Sequence, residues 1–299
     1  MNQTPSLADL PITHHFGGGV YSKETRIPAG MIVVQHKHEY DHLSILASGT
    51  VELLVDGVRS ELTGPACLTI KAGKHGGNGL TINGVAYAIP AAGVTLAPAA
   101  LSVGTTYYIY AYMNAGTMTL EASTTTHATD TASGMEIKSA DASRTLVGMA
   151  RIVTGPAWVD TAAQRFVLSW FNPRTITAYN TLPSNAGPTS TTTPIELNGG
   201  GRVEFLCFAN DPCYCSSNFV VITSGSVVAI SQVGLDGTST PITTALGQGF
   251  AGGNYANVFP NGPLNPSEGY HYATFVGYNN SAVNSTWQSG SSITVLVRG

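Results

Sequence analysis

Charge is what this sequence has least of. Lys and Arg number 13 and Asp and Glu 17 among 299 residues, so charged residues make up only 10% of the chain, against about 25% in ordinary globular domains. A net charge of −4 leaves no basic patch to neutralise a phosphate backbone, which excludes nucleic acid as an expected partner. Long apolar runs are missing too. No stretch approaches the ~18 unbroken apolar residues of a membrane span, and the longest near-apolar one, Val85 to Leu101, contains two prolines and a glycine. Membrane insertion is therefore not expected. The start, "MNQTPSLADLPITHH", has neither a basic end nor an apolar run, so no secretory signal is expected. Cysteine is scarce: Cys67, Cys207, Cys213 and Cys215. That is too few for a disulfide framework in a chain of this size, and the spacing lacks the two separated pairs or added histidines of a zinc site. Plain reduced thiols are expected, with Cys67 a buried strand residue.

What is present is apolar and small polar. The hydrophobic fraction is 43%, and the remainder is mostly Gly, Ser, Thr and Asn. That composition suits packed β structure with many turns. It also suits a chain partly covered by sister subunits, which needs fewer charges for solubility. Period-two alternation dominates, as in "TVELLV", "TYYIYAYM", "FVLSWF", "RVEFLCFA", "YHYATFVGY" and "SITVLVRG", and each such run predicts a strand. "VDGV" and "MNAGT" carry hairpin-turn residues. No long amphipathic helix is visible; "VDTAAQRFVLSWF" has room for one helical turn capped by Asp160. The fold class is all-β. Two seams, "KHGGNG" (Lys74–Gly79) and the proline-rich, uncharged "NTLPSNAGPTSTTTP" (Asn180–Pro194), the second read as a linker, divide the chain into 1–78, 79–182 and 183–299.

The segment "GMIVVQHKHEYDHLSILASG" concentrates histidine. In a strand, His36 and His38 share a face with Ile32 and Val34, the inside of a sheet or barrel. Glu39–Asp41 turns the chain, and His42 begins the next strand. Neutral imidazole is a good ligand for Zn, Fe, Ni, Cu or Mn; the same histidines also suit a metal-free, hydrogen-bonded barrel core. The spacing Gly30-x5-His36-x-His38-x3-His42-x6-Gly49 resembles the first motif of the cupins, with His42 where many cupins have Glu. "GPACLTIKAGKHG" resembles the second motif, with Gly64 and His75 at matching positions. The resemblance implies a small N-terminal β-barrel in which His36, His38, His42 and His75 hold a divalent transition metal.

From Leu80 the text changes character. "INGVAYAIP", "YYIYAYMNAGTMTLEAST", "RTLVGMAR" and "DTAAQRFVLSWFN" resemble a module of tailed-phage virion proteins of the tail-fibre, spike and head-fibre kind. From Ile195 the chain resembles the jelly-roll heads of trimeric fibres. "YYIYAYM" puts large aromatics on both faces, as in a strand buried on both sides. Arg165, Trp170 and Arg174 are read as ordinary strand residues rather than a sugar-binding cluster. The long loops "CFANDPCYCSSN", "FAGGNYANVFPNGPLNPSEG" and "GYNNSAVNSTWQSGS" are low in charge, and binding residues concentrate on such loops. Tyr255, Tyr278 and Trp287 are the candidate glycan contacts.

The resemblances imply a structural virion protein: a fibre, decoration or adaptor protein, trimeric, partnered by itself and by capsid, neck or tail proteins. They imply a place on the virion, assembled in the host cytoplasm, contact with a host-surface glycan, and no turnover. Two other classes stay open. One is a metal-dependent cupin enzyme acting on a small polar or glycan substrate. The other is a carbohydrate-binding receptor protein.

Overall fold

The computed structural model describes residues 12–17, 20–25, 42–55, 58–70, 79–90, 92–171, 174–239, 241–248 and 255–299. Every regular element among them is a strand, apart from a 3-10 turn at Gly199–Gly201. Two compact units divide the chain. One comprises Met1–Thr95, Tyr110–Glu121 and Thr126–Thr145; the other comprises Leu96–Ile109, Ala122–Thr125 and Leu146–Gly299.

The N-terminal strands form antiparallel ladders. β1 (Ile12–Gly17) pairs with β2 (Val20–Thr25). β3 (His42–Leu46), β4 (Thr50–Val55), β5 (Val58–Thr63) and β6 (Ala66–Ile70) nest, β4 on β5 and β3 on β6. Cys67 lies opposite Ile45 in this nest. Ile45 is 67% exposed and Cys67 is exposed beside it, so this thiol is on the wet face rather than buried as its apolar neighbours suggest. β7 (Gly79–Ile82) and β8 (Val85–Ala88) turn at Asn83 and Gly84, both at positive φ, the conformation that a two-residue hairpin requires. β9 (Thr106–Asn114) and β10 (Thr117–Ser123) turn likewise at Ala115 and Gly116. With β11 (His127–Thr129), β12 (Glu136–Lys138) and β13 (Asp141–Val153) they are ordered β10–β9–β13–β12–β11. Tyr107 and Tyr110, on opposite faces of β9, are both buried, as expected of a strand covered on both sides.

The remaining strands are β14 (Ala157–Trp158), β15 (Gln164–Arg165), β16 (Val167–Ser169), β17 (Thr175–Thr181), β18 (Ala186–Thr189), β19 (Ile195–Glu196), β20 (Val203–Cys207), β21 (Cys213–Thr223), β22 (Val228–Leu235), β23 (Pro241–Gln248), β24 (Tyr255–Val258), β25 (Asn261–Leu264), β26 (Gly269–Asn279), β27 (Ser285–Trp287) and β28 (Ser292–Arg298). In one sheet the order is β17, β28, β21, with β25 and β24 end to end on the far side of β21. β27 and β18 prolong the rows of β28 and β17. In the other sheet the order is β20, β26, β22, β23, with β19 also on β26 and β15 parallel on β20. Following the chain, β17 lies in the first sheet, β20 in the second, β21 in the first, β22 and β23 in the second, β24 and β25 in the first, β26 in the second and β28 in the first. This alternation makes a jelly roll.

Alternation along each strand builds the core between the two sheets. β21 turns Cys213, Cys215, Phe219 and Val221 inward, β28 turns Ile293, Val295 and Val297 inward, and β26 and β20 answer with Ala273, Phe275, Val203 and Phe205. Phe219 and Phe275 meet edge to face at 5.2 Å. Gly277 faces the Trp287 indole so closely that a Cβ there would lie 2.6 Å from the ring. Only a glycine seats this tryptophan without displacement.

Two expectations are corrected. The segment 180–194 is not a linker: Leu182 and Ala186 are buried, Leu182 N–H donates to the Ser291 carbonyl, and β18 pairs with β27. Proline and threonine content signals the lack of a long regular strand here, and irregular backbone can still be pinned by neighbours. Nor does Asp160 cap a helical turn. It forms an isolated bridge with Arg165, and the backbone that follows is extended into β15 and β16 because its partners are strands.

Candidate functional site

The outer face of β26 gathers a network of interacting polar side chains. Because His271, Ala273, Phe275 and Gly277 point inward, Tyr270, Tyr272, Thr274 and Tyr278 point outward. The Arg151 guanidinium lies 3.8 Å over the Tyr270 ring, and that of Arg202 lies 4.0 Å over Tyr272, both within cation–π range. Arg202 binds Glu196 in a bidentate pair, Nε to Oε1 and Nη2 to Oε2, each 2.7 Å. Glu196 Oε1 also accepts from Thr274 Oγ1 at 2.6 Å. Tyr270 donates to Glu204 Oε1, whose Oε2 accepts from Gln164 Nε2 at 2.7 Å. Gln232 donates to the Tyr278 hydroxyl at 3.4 Å.

The electrostatics follow from these contacts. The hydrogen bond from Arg202 holds the Glu196 carboxyl below its ordinary range, and the Glu196 bond in turn raises Arg202. Burial, and then the bond to Glu204, pushes the Tyr270 phenol up. All four oxygens of Glu196 and Glu204 accept hydrogen bonds. Chemically this face is a cross-linked lattice that fixes side-chain positions, with Thr274 and Val276 at its centre fully buried.

A second group lies at the end of β26. His271 Nδ1 faces Asp236 Oδ2 at 2.6 Å, and Nε2 faces the Ser267 carbonyl at 2.9 Å and its hydroxyl at 3.4 Å. A Ser, a His and an Asp thus stand together, but general-base catalysis needs the Nε2 lone pair aimed at the hydroxyl. Here Nε2 lies 2.9 Å from the Ser267 carbonyl and 3.4 Å from the hydroxyl, so the ring is not aimed at the hydroxyl as that chemistry requires. Asp236 Oδ1 accepts the Tyr272 N–H at 2.9 Å. The group braces the 267–272 stretch against the β22 end.

Cys207, Cys213 and Cys215 are buried and reduced. Burial pushes their thiols up, to about 12, about 11 and about 12, which removes the thiolate that nucleophilic chemistry needs. Arg298 closes one end of the sandwich. Nη1 reaches Asp211 Oδ1 at 3.1 Å, Nη2 donates to the Trp170 carbonyl at 2.6 Å, and the guanidinium lies 5.4 Å from the Trp170 and Phe208 ring centres.

The expected glycan contacts do not converge. Tyr255 is 64% exposed on β24 and lies opposite Ile222. Tyr278 is half-buried on the other sheet, opposite Ile230. Trp287 is fully buried, its indole N–H donating to Ser231 Oγ at 2.9 Å. This corrects the assignment of Trp287 as a glycan contact: its ring fills the core, and the loop-like text around it belongs to β27. Arg165 donates to the Thr177 carbonyl and pairs with Asp160, while Trp170 packs on Phe208; these act as ordinary structural residues. Of the proposed metal ligands, His36, His38 and His75 lie outside the described residues. The backbone of His42 opens β3 opposite Ile70. Among the described residues no group of three or more His, Cys, Asp or Glu is placed to hold a metal.

The Glu196–Arg202–Tyr272 lattice is absent from the sequence expectations. The signal for its aromatic half was in "YHYATFVGY", where period two puts Tyr270, Tyr272 and Tyr278 on one face. Nothing local links Glu196 or Arg151 to that face.

No family model matches the chain, and no curated protein matches it. Solved structures give faint likenesses. The infectious bursal disease virus VP2 subviral particle is 12% identical with a TM-score of 0.31, over 92% of this chain and 74% of that one. The Gt strain of the same virus is 13% identical with a TM-score of 0.30, over 92% and 75%. Eiger TNF from S. frugiperda is 8% identical with a TM-score of 0.31, over 42% and 92%. At this level the chain's own strand order remains the description of its fold.

Proposed function

We propose that the chain is a structural component of a tailed-phage virion, a fibre, decoration or adaptor protein. Its work is assembly with itself, as a homotrimer, and with capsid, neck or tail proteins, together with contact to a host-surface glycan. The observation that carries this reading is the union of the fibre-like segment with the jelly roll. "DTAAQRFVLSWFN", the stretch most like fibre proteins, lays β15 parallel on β20, and the β17 that follows is the first jelly-roll strand, paired along its length with β28. The end of the fibre-like segment and the jelly roll thus share hydrogen-bonded ladders, which suits a part that transmits load. In this reading turnover is not the task, and a divalent transition metal on His36, His38, His42 and His75 would act as a pin in the N-terminal barrel.

The test is location. Particles purified by density gradient should contain the chain in a fixed ratio to the major capsid protein, and an antibody against it should label capsid, neck or tail in electron micrographs. If the chain stays in the soluble fraction while particles lacking it are complete and infectious, the reading fails.

A further inference from the structure

We infer that the outer face of the sheet β17–β28–β21–β25/β24 is the surface through which copies of this chain associate. The inference rests on the self-assembling part of the function proposed above. An antiparallel sheet with one face on the core turns its other face to water and ordinarily carries charge there. This one does not. Across β17, β18, β21, β24, β25, β27 and β28 the only charged residue is Arg298, at the end of its strand. The register sets the outward side chains in rows. Thr177, Leu296, Tyr214 and Pro263 form one row, and Tyr179, Thr294, Ser216 and Asn261 form the next. Tyr179, Tyr214 and Leu296 are 55%, 42% and 39% exposed, and Tyr214 donates to Asn261 Oδ1 at 3.1 Å. The surface thus combines exposed aromatic and aliphatic side chains with neutral hydrogen-bonding groups. Depletion of charge with enrichment of tyrosine is the composition of an interface core.

Size and charge decide the occupant. The 11 residues of β21 at ~3.3 Å each, across four rows at ~4.8 Å, give a face of roughly 700 Å². That approaches the ~800 Å² that each partner contributes to a stable protein interface. A small ligand wants a concave pocket instead. The chain carries a net charge of −4, so identical copies repel one another except where uncharged surfaces meet; this face is complementary to itself in that sense. Its one cation, Arg298, is already paired with Asp211, and its strands carry no anion to offer a basic partner.

The experiment uses the full chain in native mass spectrometry and sedimentation velocity, comparing wild type with Leu296→Lys, Tyr214→Lys and Thr294→Lys. Thr192→Lys, on an exposed loop, is the control. The wild type and the control should be oligomers of one stoichiometry. Each of the three face variants should dissociate to monomer at ~10 μM, an association weaker by about 100-fold, with an unchanged far-UV circular dichroism spectrum. Thr294→Lys alters a half-exposed threonine and keeps the test valid should a variant at Leu296 or Tyr214 misfold. Face variants that assemble like the wild type would overturn the inference, and so would a wild type that is monomeric at ~100 μM. Particles that contain the wild-type chain, beside variants whose oligomer is unchanged, would reject this face and leave the virion role standing.

Discussion

Replacing Trp287 by Phe separates packing from hydrogen bonding at the centre of the jelly roll. Trp287 is fully buried against Gly277, and its indole N–H donates to the equally buried Ser231 hydroxyl at 2.9 Å. Phenylalanine removes part of the ring system, leaving a cavity worth about 1–2 kcal/mol. It also strands the Ser231 hydroxyl without its partner, which costs about 1–3 kcal/mol. The single change should therefore destabilise by ~2–5 kcal/mol. Ser231→Ala alone should cost ~1–3 kcal/mol, because the indole N–H is then the stranded group. In the double variant neither partner is stranded, so its cost should fall below the sum of the singles by ~1–2 kcal/mol. Urea unfolding followed by far-UV circular dichroism measures all four corners of the cycle. Strict additivity, or a neutral Trp287→Phe, would refute the buried assignment. The same outcome would reopen the glycan role, in which Trp287→Phe leaves stability untouched and weakens sugar binding.

Other expectations can be checked as directly. Arg202 lowers the Glu196 carboxyl in the folded state, so the stability from this pair is present above the ordinary carboxylate range of ~4.3 and is lost as pH falls through the lower folded value. Glu196→Gln should thus be less stable than wild type by ~1 kcal/mol at pH 7, and thermal melts of the two should converge as pH falls below the lowered folded value of Glu196; a gap independent of pH would contradict the pairing. Ellman titration of the native chain should find one fast thiol, the exposed Cys67, with Cys207, Cys213 and Cys215 reacting only after denaturation; two or more fast thiols would mean that the core is open. Elemental analysis should find one divalent transition metal per chain, absent from a His36→Ala/His38→Ala variant, and metal-free wild type would end the ligand reading.

Period two alone made the strands legible, since it fixes which residues of β21, β26 and β28 face the core whatever their partners are. The jelly-roll head was expected from a resemblance to fibre heads, not from periodicity. Its beginning was not, because β17 earns its place only through Thr175–Thr181 pairing with Ser292–Arg298, a contact that no local pattern encodes. Trp287 shows the same limit. Text rich in Asn, Ser and Gly announces a loop, and only the third dimension reveals that Gly277 on another strand leaves a hole of the right shape. Cys67 failed in the opposite direction: alternation gave it a face, and the apolar neighbours suggested the wrong one. Arg151, Thr274 and the pair Glu196 and Arg202 come from three separate stretches, so their meeting on one sheet was out of reach of spacing arguments.

The pairing of β17 with β28 also sets the order in which this molecule can be made. β28 fills the row between β17 and β21, so on the ribosome both strands wait with open edges until Ser292–Arg298 emerges. The jelly roll has no self-sufficient half to fold first, and its contacts span long sequence separations, which slows folding. During that wait its uncharged strands are the segments most exposed to neighbouring nascent chains. A cell making many copies at once would favour the encounter of sister chains, and any chaperone requirement of this protein should map to the interval between the synthesis of β17 and that of β28.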